Sequence, residues 1–568
     1  MLAACFLQAA QARLSLSPID LVIIVLYFVL VLGLGVYLRR FTTTAEEFFM
    51  AGREMTMWVA GLSFISANLG SLEMMGYAAA TYQYGILVAH AYWIGAIPAI
   101  LFLALVMLPF YYICKTHSVP GYLKLRFGEG ARSLSAISFA VMTILMSGIN
   151  MYSMAIIMKV ILGWNIHFSI WVSSLTVAIY VAAGGLLSAI FNEVLQFFLI
   201  WIGCLVIPVV GLIETGGWAG MVHRIQVNFP GQDFLHMWST TGTFSNNPMG
   251  AHWTGIVFGW GLAISFGYWT TDFLVVQRVM AAKDLRSAQL GTIIGAFFKM
   301  IVPLIVIVPG LLALAVLPYH LVPESQAGLP NVHTYNEALP LMLARYCGPG
   351  LLGLGVTALV AGFMSGMAGN VTAFTTVWTY DIYKPLIWKE ASEQHYVSMG
   401  RWCSLLGVFI SIGTAYLVMN FSSIIVYAQV VFVFFIVPMF GTVILGMLWK
   451  RTTPAAGFWG LLAGILTSFA LWLWVRFDPA ALNYVAFSGY AKDMSENMYR
   501  AMWSLIANVL VTVVVTLVTK PKPDHELKGL VYGMTDLPSE SAFPIFQRPI
   551  AWAAAVGGAF VALNIWFW

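Results

Sequence analysis

Glu73, Glu193, Asp272 and Lys299 each fall within a long apolar run. An ionisable side chain at bilayer depth costs about 2.5–3.5 kcal/mol or more, so it normally faces a cavity or a partner. Glu193 and Asp272 sit near the ends of their runs, where a carboxylate beside a basic loop is an equal reading. Lys299 is deeper, snorkelling is harder for it, and it is expected to face a cavity. Around Glu73 the chain reads Phe64-Ile65-Ser66-Ala67-Asn68-Leu69-Gly70-Ser71-Leu72-Glu73. Small and polar residues collect there in mid-span, where irregular backbone is tolerated only beside a cavity, so a broken helix is expected. Gly255, Gly259, Gly261, Ser265 and Gly267 ahead of Tyr268-Trp269 repeat the pattern. Close packing through small residues accounts for the glycines but not for Asn68 and Glu73. A membrane enzyme has no support: there is no HExxH, no GxSxG with partners and no usefully spaced carboxylate pair. Cys5, Cys114, Cys204, Cys347 and Cys403 are scattered without metal-ligand spacing and read as small apolar residues.

The elements that position these groups follow from composition. The 568 residues are 60% hydrophobic and 9% charged, against about 45–50% and about 25% in a soluble domain. Mean hydropathy is +0.86. A soluble protein is excluded, and a net charge of +4 makes no basic face for nucleic acid. A helix needs about 20 apolar residues to cross the hydrocarbon. Fourteen stretches qualify: 21-38, 56-82, 86-113, 133-162, 168-184, 188-213, 252-274, 289-317, 350-380, 401-419, 424-448, 455-475, 501-519 and 549-567. The runs are too continuous for a membrane barrel, so the fold class is an all-α polytopic membrane protein whose solvent is the lipid bilayer.

Orientation follows from Lys and Arg. If the first span runs inward, segments 39-53, 115-132, 278-286, 384-401, 450-451 and 520-548 are inside and hold 19 of the 27 bases. Arg13, Arg224, Arg345, Arg476, Lys492 and Arg500 lie outside. Both termini are therefore expected outside an inner (plasma) membrane. The opening MLAACFLQAAQA lacks the positive start of a signal peptide and is expected to be an uncleaved tail. The second and seventh spans begin two five-span sets, 56-213 and 252-448. These are flanked by 1-55 (tail, first span and inner loop), the outer loop 214-251 and three accessory spans in 449-568. Paired discontinuous helices at matching places mark the substrate and ion site of an inverted-repeat transporter.

Several motifs carry a resemblance. They are Gly184-Gly185-Leu186 before Asn192-Glu193-Val194-Leu195-Gln196, then Tyr268-Trp269 with Asp272 and Gln277-Arg278, AGFMSGMAGNVTAFTTVWTYDIY from Ala361 to Tyr383, and Trp449-Lys450-Arg451 before Gly457-Phe458-Trp459-Gly460-Leu461. From about Glu47 to Leu461 the chain resembles the solute:sodium symporter family, most closely its sodium/sugar (glucose/galactose) branch. The resemblance implies a five-plus-five inverted-repeat (LeuT-like) core of about fourteen helices with discontinuous second and seventh spans. It also implies that Lys299 and Gln429 bind solute, that Tyr268 is an inner gate and that Asn68 holds that tyrosine. Ser265 stands where the branch has a sugar-binding asparagine, and the third span, Ala91-Tyr92-Trp93-Ile94-Gly95, lacks its glutamate. Glu73 replaces a glutamine or histidine, so the acid is expected to have moved from one wall to the other. Gln and Lys donate, Glu accepts, and Trp93 or Trp269 offers a stacking face, a set suited to hydroxyl-rich ligands.

The same resemblance places a sodium ion, the coupling ion, where the second span crosses the ninth. Its ligands would be carbonyls of Ser66, Leu69 and Gly362 and the hydroxyl of Ser365. Gly366 stands in place of a second serine. A water is expected to take that ligand's place, and Gly366→Ser to tighten sodium coupling. Glu193, after Asn192, keeps the family's carboxylate near the inner exit and is an ion-coupling candidate. The expected function is inward symport of sodium with a small polyhydroxylated solute, most simply a sugar. Alternatives are another small solute (polyol, amino acid or nucleoside), proton coupling, or a membrane sensor that keeps the pocket and has lost transport.

Overall fold

The computed structural model describes residues 16–38, 44–317, 320–326, 332–535 and 543–568. The first twelve residues, and with them the expected uncleaved tail, lie outside that description. Among the described residues the backbone is helical, and β-structure is limited to the isolated bridges Met55↔Ala282 and Val322↔Thr334. Among the described residues, eleven helices are long and apolar enough to cross a membrane.

The three expected spans outside that set each have a reason. The second is broken: Met57–Asn68 ends at Leu69, a wide turn follows over Leu72–Gly76, and Tyr77–Tyr84 completes it. The seventh is widened rather than unwound, with π-helical winding over Gly255–Ser265 before a short α-helix Phe266–Thr271. Its break comes at Asp272, whose ψ of 109° is extended. The fifth is continuous with the sixth in one helical run, Ile166–Thr215. A straight helix of 50 residues would be about 75 Å long, more than twice the hydrocarbon. Ser174 meets Met151 halfway down the fourth span, Glu193 meets Arg278 towards the opposite end, and Glu214 meets Arg345 back where the run began. These contacts place the middle of the run at the opposite end of the bundle from its two ends.

Polar contacts sort the connections to two ends of the bundle. At one end, Arg53 bonds the Lys115 and Thr116 carbonyls, Arg126 those of Gly446 and Thr452, and Arg286 that of Gln547. At the other, Lys159 pairs with Glu337 at 2.7 Å, Ser422 with Asp493 at 2.6 Å and Lys492 with the Pro248 carbonyl at 2.6 Å. The base-rich connections thus share one end, as alternating crossings require.

Two glycine contacts place the centre. A Cβ on Gly61 would lie 2.5 Å from the Gly291 carbonyl oxygen, so the second and eighth spans meet backbone to backbone. A Cβ on Gly70 would lie 3.1 Å from the Gly366 Cα, so the break in the second span abuts the ninth. The eighth span is itself interrupted between Ile301 and Pro303, immediately after Lys299. Proline has no N–H to continue the ladder there.

Candidate functional site

From Gly291, two further turns of helix carry Lys299 to the broken second span. Its Nζ lies 2.5 Å from Glu73 Oε1 and 2.5 Å from Asn68 Oδ1. Asn68 in turn donates from Nδ2 to the Tyr268 hydroxyl at 2.9 Å. One polar chain, Tyr268–Asn68–Lys299–Glu73, thus ties the seventh, second and eighth spans. The Lys299 ammonium also lies 4.7 Å from the Tyr92 ring and 5.3 Å from the Trp269 ring. The Lys299 and Glu73 side chains are 3% and 5% exposed. Removing one partner of such a pair strands a buried charge.

These residues border a cavity of about 440 Å³, counting its mouth. Asn68, Glu73, Ser265, Tyr268, Lys299 and Gln429 all line it. The Gln429 carbonyl oxygen is buried and accepts no hydrogen bond among the described residues. Trp269 is on the wall but Trp93 is not: its indole donates to the Met300 carbonyl at 3.1 Å and its ring packs on Phe567. The expectation of Trp93 as a stacking face is therefore corrected. Ala91–Ala96 is wound as a π-helix, which shifts the register and presents Tyr92 instead. Tyr77, Trp260 and Phe432 also line the cavity and carry no signal in the sequence that would single them out.

Below the cavity, the broken second span crosses the ninth. The Ser365 hydroxyl donates to the Ser66 carbonyl at 2.9 Å, and the two serine hydroxyls are 3.4 Å apart. A Cβ on Gly362 would lie 3.1 Å from the Leu69 carbonyl oxygen. Ser66, Leu69, Gly362 and Ser365 are thus brought together. The last carbonyls of the helix ending at Asn68 have no partner within it and form the negative end of its dipole, a setting that attracts a cation. A Cβ on Gly366 would lie 2.8 Å from Asn150 Oδ1, so a side-chain amide stands where the second hydroxyl is missing.

Glu193 is away from this crossing. Both its oxygens are held by Arg278, at 2.6 Å and 3.2 Å, and Ser63 donates to Oε2. Glu193 and Arg278 are wholly buried, and the base beside the carboxylate is one of those assigned from the sequence to the inner segments. Arg278 fixes it from the short helix Phe273–Met280. Asp272 has the plainer role, its Oδ1 accepting the Leu274 N–H at 2.9 Å and capping that helix.

The bundle has the fold of inverted-repeat transporters. A Na+-coupled sialic acid symporter, solved in a substrate-bound outward-open state, superposes with a TM-score of 0.71 over 89% of this chain and 99% of its own, at 20% identity. The Sodium:solute symporter family matches residues 48–464, and the chain belongs to that family. Sodium/glucose cotransporter 4 of Danio rerio is 27% identical over 551 residues, covering 92% of this chain and 82% of the relative. The sodium/myo-inositol cotransporter of Homo sapiens is 29% identical over 581 residues, covering 95% and 80%. The protein is a multi-pass, sodium-coupled transporter of a small-molecule solute and not an enzyme.

Proposed function

We propose that this chain imports a small, neutral, polyhydroxylated solute, a sugar or cyclic polyol, driven by sodium entering with it. The observation that carries the reading is the Lys299–Glu73 pair in one cavity with the unpartnered Gln429 carbonyl oxygen. A hydroxyl both donates and accepts, so a ligand rich in hydroxyls bonds the ammonium, the carboxylate and the amide together. The pair is neutral as a unit, and a neutral ligand preserves that balance where a charged one would leave a charge uncompensated in a buried site. Tyr92 and Trp269 supply the faces for the apolar side of a ring. The relatives named for glucose and myo-inositol agree with this class.

Residues 56-213 and 252-448 act as the two repeats in this reading, with the solute between them. Both termini lie outside the plasma membrane, since the base-rich end of the bundle is the inner one. Sodium at the crossing of Ser66 and Leu69 with Gly362 and Ser365 braces the broken span and favours the outward-open pocket; Tyr268 closes the path inward. One charge falling through 100 mV releases about 2.3 kcal/mol, enough for roughly fiftyfold accumulation per ion.

Thermal stability of the purified protein against sugars, cyclic polyols, amino acids and nucleosides, each with sodium or choline, tests this. A sugar or polyol stabilises it, and more so with sodium. Stabilisation by an amino acid alone contradicts the proposed solute class.

A further inference from the structure

Asn150 lies in the middle of the fourth span, Glu129–Leu162, and is 4% exposed. Its side-chain amide forms no hydrogen bond with any described residue. Its oxygen points at the crossing: it is 3.6 Å from where a Gly70 Cβ would lie and 2.8 Å from where a Gly366 Cβ would lie. Gly70 follows Leu69 in the break of the second span, and Gly366 follows Ser365 on the ninth. The amide oxygen therefore lies against the place where Gly366 lacks a side chain, one residue along the ninth span from Ser365, whose hydroxyl donates to the Ser66 carbonyl. A Cβ on Gly366 would collide with that oxygen, whereas one on Gly70 would meet the Gly366 Cα at 3.1 Å first.

We propose that Asn150 is a ligand of the coupling sodium, its amide oxygen replacing the hydroxyl that Gly366 lacks. The assignment rests on the sodium site proposed above and adds a third helix to it. Neutral oxygens of carbonyl and amide type are what a hard cation takes, and here one comes from the fourth span, one or more from the broken second and one from the ninth. Binding then ties the fourth span to the crossing. A serine at 366 and an asparagine at 150 are alternatives for the same space, so Gly366→Ser alone is expected to impair the site, reversing the effect anticipated from the sequence.

The test uses the full chain and two readouts: the sodium concentration giving half-maximal thermal stabilisation without solute, and that giving half-maximal uptake. Melting in choline serves as the folding control. Asn150→Ala removes no hydrogen bond between described residues, so melting in choline holds while both sodium midpoints rise about tenfold or more, the loss of one ligand to a charged group. Asn150→Asp keeps the oxygen and keeps or lowers the midpoints. Gly366→Ser raises them, and Asn150→Ala with Gly366→Ser brings them back to within about threefold of the wild type. Unchanged midpoints in Asn150→Ala, or a double variant no better than either single one, overturn the role of Asn150 and leave the sodium site standing. A wild-type chain indifferent to sodium in both readouts overturns the site and the ligand together.

Discussion

Lys299 and Glu73 are 226 residues apart in the chain and 2.5 Å apart in the folded protein. The contact exists because Gly61 and Gly291 let two spans touch and because the second span is interrupted just before Glu73. In the structure the pair satisfies itself. A solute must insert its hydroxyls into an existing ion pair, and that sets what the mutations should do.

Glu73→Ala leaves a buried ammonium without its counter-charge and should cost about 3–5 kcal/mol of stability. Glu73→Gln keeps an acceptor for the ammonium and should fold. Its melting temperature, compared with that of Glu73→Ala in the same detergent, checks the difference.

Gln429→Ala should weaken apparent solute affinity roughly 5- to 150-fold, because it removes one polar partner of the ligand at about 1–3 kcal/mol. Its own carbonyl oxygen has no partner among the described residues, so melting without solute should barely move. Unchanged solute affinity in both Gln429→Ala and Lys299→Ala would place binding elsewhere.

Arg278→Ala and Glu193→Ala should each destabilise strongly, while removing both should cost less than their sum. The coupling from a double-mutant cycle is expected to be about 0.5–3 kcal/mol. Additive losses would show that the two groups act separately despite the 2.6 Å contact.

Reporter fusions after Trp568 and within 520-535 test orientation. The first should report outside and the second inside. The reverse would invert the assignment of inner and outer gates.

What the sequence made legible was whatever leaves a local mark. Apolar runs gave the spans, Asn68 and Glu73 among small residues marked the broken helix, and depth marked Lys299. Tyr92 was missed because one π-helical segment, Ala91–Ala96, turns the wall by a residue, and period-based reading assumes regular winding. Asn150 was missed because it lies in an unbroken helix, and only the packing of three spans brings its amide to Gly366. The direct Lys299–Glu73 bond was equally invisible, since no local pattern records the meeting of two residues so far apart in the chain.

The most direct test of the account is uptake of a labelled sugar or cyclic polyol that stabilises the protein, by proteoliposomes under an inward sodium gradient. Accumulation should exceed equilibration with sodium, fall to background when choline replaces it, and persist with a protonophore. Undiminished uptake in choline that a protonophore and Glu193→Gln both abolish would contradict sodium coupling; no uptake or counterflow of a solute that binds would contradict transport itself.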